Sequence, residues 1–102
     1  MNKYHAVKTD GFDSKKEAEH FRTLMVQRYA KEPHQQVTEI EVQPRFDITV
    51  NGILCAKYYA DFRVTYADKR VEIVDCKGFR TPVYILKKKL VEAIHGIKII
   101  EV

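Results

Sequence analysis

At 102 residues the chain has room for one domain, residues 1–102, and none for a second. Hydrophobic residues make up 45% of it and charged residues 31%, a globular balance that excludes a disordered chain, and no apolar run is long enough to cross a bilayer. The net charge of +4 mildly favours a polyanionic partner, and the polar first ten residues lack a signal-peptide core, so a cytoplasmic protein is expected.

Residues 1–12 read as an irregular arm. Asp13-Ser14 then opens a helix, with Ser14 as N-cap and Glu17 three residues later in a capping-box pattern. Ala18, Phe21, Leu24, Met25 and Tyr29 recur at helical spacing and give one apolar face, and Pro33 ends the helix. Val37, Ile40 and Val42 alternate with charged residues. Pro44 interrupts that strand with a bend or bulge, and Phe46 to Val50 continue it. Asn51-Gly52 is a strong hairpin signal. Ile53 to Tyr66 reads as one long second strand, Ala67-Asp68-Lys69 as a turn, and Val71 to Cys76 as a third strand that Gly78 breaks.

Thr81-Pro82 starts a second helix, whose apolar stripe is Val83, Leu86, Leu90 and Ile94 and whose end is marked by Gly96. Ile97 to Val102 is a last short strand. The order α-β-β-β-α-β implies an antiparallel meander followed by a right-handed parallel crossover, hence an α/β fold with a mixed sheet flanked by helices. Cys55 and Cys76 lie in apolar stretches and are expected as buried, reduced thiols. No pair of Cys or His has zinc-site spacing.

The chemistry concentrates in two strands. In Val71-Glu72-Ile73-Val74-Asp75-Cys76-Lys77, alternation places Asp75 and Lys77 on the face of Val71 and Ile73, at the strand end. Taken alone, the two read as an ordinary ion pair. Asp61 falls in the middle of the second strand, where a buried carboxylate is costly unless it is paired or bound to metal. The two strands are hairpin neighbours, so Asp61 and Asp75 can approach each other. A hard cation such as Mg²⁺ would relieve their repulsion, polarise a phosphoryl oxygen and acidify a bound water, with Lys77 positioning that water or stabilising developing charge. Asp61, Asp75 and Lys77 are expected to converge at one end of the hairpin, with Glu17 within reach.

Four motifs carry a resemblance: Phe12-Asp13-Ser14-Lys15-Lys16-Glu17-Ala18-Glu19, Gln43-Pro44-Arg45-Phe46, Tyr59-Ala60-Asp61-Phe62 and Val74-Asp75-Cys76-Lys77-Gly78. Together with the element order they resemble the PD-(D/E)XK nuclease superfamily and, more closely, a phage and prophage family of unknown function, DUF1064. The resemblance runs from about Lys3 to Val102. It implies a Mg²⁺- or Mn²⁺-dependent DNA endonuclease in the bacterial host cytoplasm, with Asp61, Asp75 and the Cys76 carbonyl as metal ligands, Lys77 as catalytic lysine and Glu17 as first-helix acid. Glu19 lies in the same motif, but Glu17 shares a face with Phe21 and Leu24. Ala60 stands where the superfamily has proline. Gln43 and Arg45 belong to a motif with either a functional or a backbone-fixing role.

Basic residues gather from Lys77 to Lys89, and Arg80, Tyr84, Lys87 and Lys88 are candidate DNA contacts, with Tyr84, Lys87 and Lys88 on the helix face away from Leu86 and Leu90. His5, His20, His34 and His95 are scattered without catalytic spacing. A homodimer is a further expectation, because enzymes that cut both strands often work as two-fold pairs and a small core gains from buried partner surface. The competing reading is a non-catalytic protein on the same fold that binds DNA or a phage or host DNA-processing protein. Against it, Asp61, Asp75 and Lys77 are all present. A phosphate-binding regulator would need a Gly-rich loop that the chain lacks.

Overall fold

A computed structural model describes residues 11, 12 and 14–102. The expected arm, except for its last two residues, and Asp13 lie outside the described residues. Helix α1 (Lys15–Gln27) starts where expected, because the Ser14 hydroxyl accepts the Glu17 amide at 3.0 Å. Ala18 and Leu24 are buried. The helix stops well before Pro33: the amides of Arg28, Tyr29 and Ala30 reach back only three residues, to Met25, Val26 and Gln27, the tighter pattern of an unwinding end. Tyr29, expected on the apolar face, is exposed beyond that end. No buried apolar residue follows Leu24 in α1 to hold further turns against the sheet.

Six strands follow around a second helix: β1 (Val37–Val42), β2 (Arg45–Val50), β3 (Ile53–Tyr59), β4 (Phe62–Tyr66), β5 (Val71–Asp75), α2 (Pro82–His95) and β6 (Ile99–Glu101). Both long strands expected from the sequence are therefore broken in two. Gln43 takes a left-handed φ of 56° and Pro44 cannot donate a ladder bond, so the first strand turns a corner. Its partner turns with it at Ala60-Asp61. Pairing survives the corner, with the Gln43 amide donating to the Asp61 carbonyl at 2.9 Å and the Ala60 amide to the Pro44 carbonyl at 3.1 Å. The outer half of the hairpin becomes a separate β2–β3 ribbon, closed by Asn51 and Gly52 at φ 51° and 79°. The inner half joins a mixed sheet in the order β1-β4-β5-β6, antiparallel except for β5–β6.

Residues on opposite sides of the sheet build two cores. On one side Leu24 of α1 meets Val37, Phe62, Val64, Val74 and Cys76. On the other, Tyr84 and Val91 of α2 meet Phe46, Ile48 and Tyr58 of the ribbon and Ile73 and Ile99 of the sheet. Phe62 is 0% exposed, with the Phe12 and Phe21 rings at 5.8 and 6.1 Å. Phe62→Ala is expected to lower unfolding free energy by about 3–5 kcal/mol in urea titration, whereas Tyr29→Ala should stay within about 0.5 kcal/mol. A loss for Phe62→Ala no larger than that for Tyr29→Ala would contradict this packing.

Two burial expectations are corrected. In α2, Val83 and Leu86 are 62% and 57% exposed and Ile94 is also exposed. The inward stripe is instead Tyr84, Lys87, Lys88 and Val91, with Leu90 half-buried beside it. Both lysines are half-buried, and their ammonium groups reach polar partners, the Lys57 carbonyl for Lys87 and Glu101 for Lys88. Cys55 is exposed on the ribbon rather than buried. Cys76 is buried, and desolvation, reinforced by Asp61, Glu17 and Asp75, pushes its thiol up to about 12. It is thereby a poor nucleophile. Among the described residues no helix is long and apolar enough to cross a membrane.

Candidate functional site

The corner creates the site. Phe62 pairs with Val74, so one further step along the register sets Asp61 against Asp75. The Asp61 amide donates to the Val74 carbonyl at 3.0 Å, and the Cys76 amide donates to Asp61 Oδ2 at 2.6 Å. Asp61 thus stands at a bend beside the end of β5, not mid-strand as the sequence suggested. Asp75, the last residue of β5, is 0% exposed.

The surroundings of Asp75 are asymmetric. Its Oδ2 accepts the Tyr58 hydroxyl. Its Oδ1 is buried and accepts no hydrogen bond, while Lys77 Nζ lies 3.4 Å from it. Burial, with the hydrogen bond to Asp75, holds Tyr58 protonated far above the usual tyrosine range, so it acts as a donor. Burial also pushes Asp61 up to about 7. Asp75 and Glu17 add to that rise, and the Cys76 amide opposes it. This pair of carboxylates repels, and one of the two favours a proton near neutrality.

Lys77 is fixed from two sides, by Asp75 and by the face of Tyr84, 4.6 Å from Nζ to ring centroid. The Tyr84 hydroxyl donates to Glu101 at 2.7 Å. Glu101, which pairs with Asp75 across β5–β6, also draws Arg80 at 3.6 Å and Lys88 at 3.7 Å. The Tyr84 hydrogen bond, helped by those two cations, holds the Glu101 carboxyl below its ordinary range.

Asp61, Asp75, the Cys76 backbone and Lys77 therefore gather in one place. Glu17 is half-buried and close enough to raise Asp61, while Glu19 is exposed and lines an outer groove with Lys16 and His20. Among the candidate DNA contacts, Arg80 and Lys88 turn toward Glu101. Tyr84 is corrected, being in the core instead of on the outer helix face. Gln43 serves the corner through its backbone, and Arg45 pairs with Asp47 at 2.7 Å on the ribbon. Sequence reasoning missed Tyr58 and Glu101. Tyr58 was hidden by the unbroken strand assumed for Ile53 to Tyr66, although an acid ending the strand parallel to β5 could have flagged Glu101.

Among the described residues no three His, Cys, Asp or Glu side chains are grouped to hold a metal ion. Two carboxylates, one with a buried oxygen lacking a hydrogen bond, fit a hard cation such as Mg²⁺, which takes one or two carboxylates and keeps water for its other positions. They do not fit a closed zinc site.

The raised Asp61 has a direct consequence. A carboxyl near 7 when folded and 3.8 in its ordinary state binds more protons in the folded protein across that interval. Its contribution to stability therefore falls as pH rises from about 4 through about 7. In chelator, Asp61→Asn is expected to melt above wild type at pH 8, with the gap closing toward pH 5. A gap independent of pH would show that Asp61 is not the group responsible.

A family model described as "Protein of unknown function (DUF1064)" matches residues 1–98. No curated protein and no solved structure matches the chain.

Proposed function

The chain belongs to the DUF1064 family, and we propose that it is a Mg²⁺- or Mn²⁺-dependent DNA endonuclease on a PD-(D/E)XK-like core, acting on phage or host DNA in the bacterial cytoplasm. The observation that carries this reading is the meeting of Asp61 and Asp75 beside Lys77, with a buried Asp75 oxygen that accepts no hydrogen bond. The helix–meander–helix–strand order, with an acid on α1, supports the same core.

Asp61, Asp75 and the Cys76 carbonyl would hold the cation, and Tyr58 fixes the rotamer of Asp75 by its hydrogen bond. The bound ion would supply Lewis-acid polarisation of the scissile phosphate and a more acidic water. Lys77, held between Asp75 and Tyr84, presents a fixed ammonium to the attacking water or to a phosphoryl oxygen. Glu17, half-buried and close enough to raise Asp61, would help to orient that water from the α1 side. Arg80, Lys87 and Lys88 supply positive charge along the approach to the site.

The test is incubation with linear, nicked, flapped and four-way DNA in Mg²⁺ or Mn²⁺, with EDTA as control. At least one form should be cut, and only with the ion present. Binding of DNA without cleavage of any form would instead identify a non-catalytic DNA-binding protein.

A further inference from the structure

Each carboxylate of the pair has one oxygen held by a protein donor. The Cys76 amide donates to Asp61 Oδ2 at 2.6 Å, and the Tyr58 hydroxyl donates to Asp75 Oδ2. Asp75 Oδ1 accepts no hydrogen bond, its charge being met by Lys77 Nζ at 3.4 Å. Packing fixes the Tyr58 hydroxyl in place. The residue is 4% exposed, on the ribbon face that covers the sheet, with the Phe46 and Tyr84 rings at 6.4 and 6.3 Å. Asp75 is itself fully buried at the end of β5, where a charge-assisted hydrogen bond is strong and costly to give up.

We propose that Tyr58 is a positioning residue that sets the ion selectivity of the site: by engaging Asp75 Oδ2 it confines Asp75 to one-oxygen coordination and so favours Mg²⁺ or Mn²⁺ over Ca²⁺. The inference rests on the metal-site reading above. Mg²⁺ is satisfied by one or two carboxylates in near-octahedral geometry and keeps water in its other positions. Ca²⁺ takes about six to eight oxygens and often draws two from one carboxylate. With both Oδ2 atoms engaged, Asp61 and Asp75 would offer one oxygen each, beside the Cys76 carbonyl. That is a full protein share for Mg²⁺ and a poor one for Ca²⁺. Chelation through both Asp75 oxygens would turn the carboxylate onto the ion and strain the Tyr58 bond. Lys77 does not discriminate, because its charge opposes the two ions alike. The Cys76 amide is backbone, so the Tyr58 hydroxyl is the part of the device that a side chain carries. A hydroxyl that merely steadied a buried charge would affect both ions in the same proportion.

Competition by Mg²⁺ and Ca²⁺ for bound Mn²⁺, read by electron paramagnetic resonance of the free ion, tests this apart from catalysis. The full chain is used at about pH 8, where Asp61 is ionised. In wild type Mg²⁺ should displace Mn²⁺ at least as well as Ca²⁺ does. Tyr58→Phe keeps the ring and removes the hydroxyl. It should move the Mg²⁺-to-Ca²⁺ affinity ratio roughly tenfold toward Ca²⁺, about the worth of one charge-assisted hydrogen bond. Tyr66→Phe is the control. It removes a hydroxyl that bonds Glu72 at 2.9 Å on the opposite side of the sheet, and it should leave the ratio unchanged. An unchanged ratio in a Tyr58→Phe protein with native circular dichroism, or equal weakening of both ions, would overturn the inference and leave the metal site standing. Preference of wild type for Ca²⁺ does the same, whether or not the variant folds. No Mn²⁺ uptake by wild type overturns both. The expected selectivity in a protein that cuts no DNA upholds the role of Tyr58 and removes the endonuclease reading.

Discussion

Lys77→Ala is expected to reduce metal-dependent DNA cleavage by roughly 10²–10³-fold, the loss that follows removal of one preorganised charge, while Lys69→Ala leaves cleavage close to wild type. The contrast rests on position. Lys77 lies 3.4 Å from a fully buried Asp75 oxygen and 4.6 Å from the Tyr84 ring centroid, so its ammonium has a defined place before substrate arrives. Lys69 is exposed in the turn between β4 and β5. Lys77 is only partly buried and follows the end of β5, so its truncation should leave the fold intact, which circular dichroism would verify. If both variants cut the best substrate like wild type, Lys77 is an ion-pair partner of Asp75 and nothing more.

The second large effect belongs to Asp75. Asp75→Asn keeps the side-chain shape and leaves an oxygen to accept the Tyr58 hydroxyl, but removes the charge that a divalent ion needs. Cleavage should fall by orders of magnitude in Mg²⁺ and Mn²⁺. The fold should persist, because the substitution removes a buried charge that faces a second carboxylate. The proposed DNA binding should survive, since the substitution leaves Arg80, Lys87 and Lys88 in place. Cleavage within tenfold of wild type would remove Asp75 from the metal shell.

Much of this was legible in the residues. Ser14, Asn51-Gly52, Thr81-Pro82 and Gly96 each carry a local conformational instruction, and each element boundary they mark is observed. Asp61, Asp75 and Lys77 stood out because charges were written into strands that otherwise read as apolar. The corner at Gln43-Pro44 was half legible. A proline signals a break in its own strand, but nothing in Tyr59-Ala60-Asp61-Phe62 says that the partner must turn with it. The break follows from pairing, which is a non-local property.

The same cause hid Tyr58, which reaches Asp75 only because the ribbon folds back over the sheet. In α2, apolar periodicity pointed to the wrong face, because the inner face meets a polar site. There a tyrosine and two lysines with long stems do the covering.

The central claim is that Asp61 and Asp75 form a divalent-metal site, and Mn²⁺ titration of the isolated protein, read by electron paramagnetic resonance of the free ion, tests it without any substrate. Wild type should withdraw Mn²⁺ from solution at about pH 8, where Asp61 is ionised, and less so at pH 5. Mg²⁺ should compete, and Asp75→Asn should withdraw little. Equal Mn²⁺ uptake by wild type and Asp75→Asn, or none by either at pH 8, would contradict it.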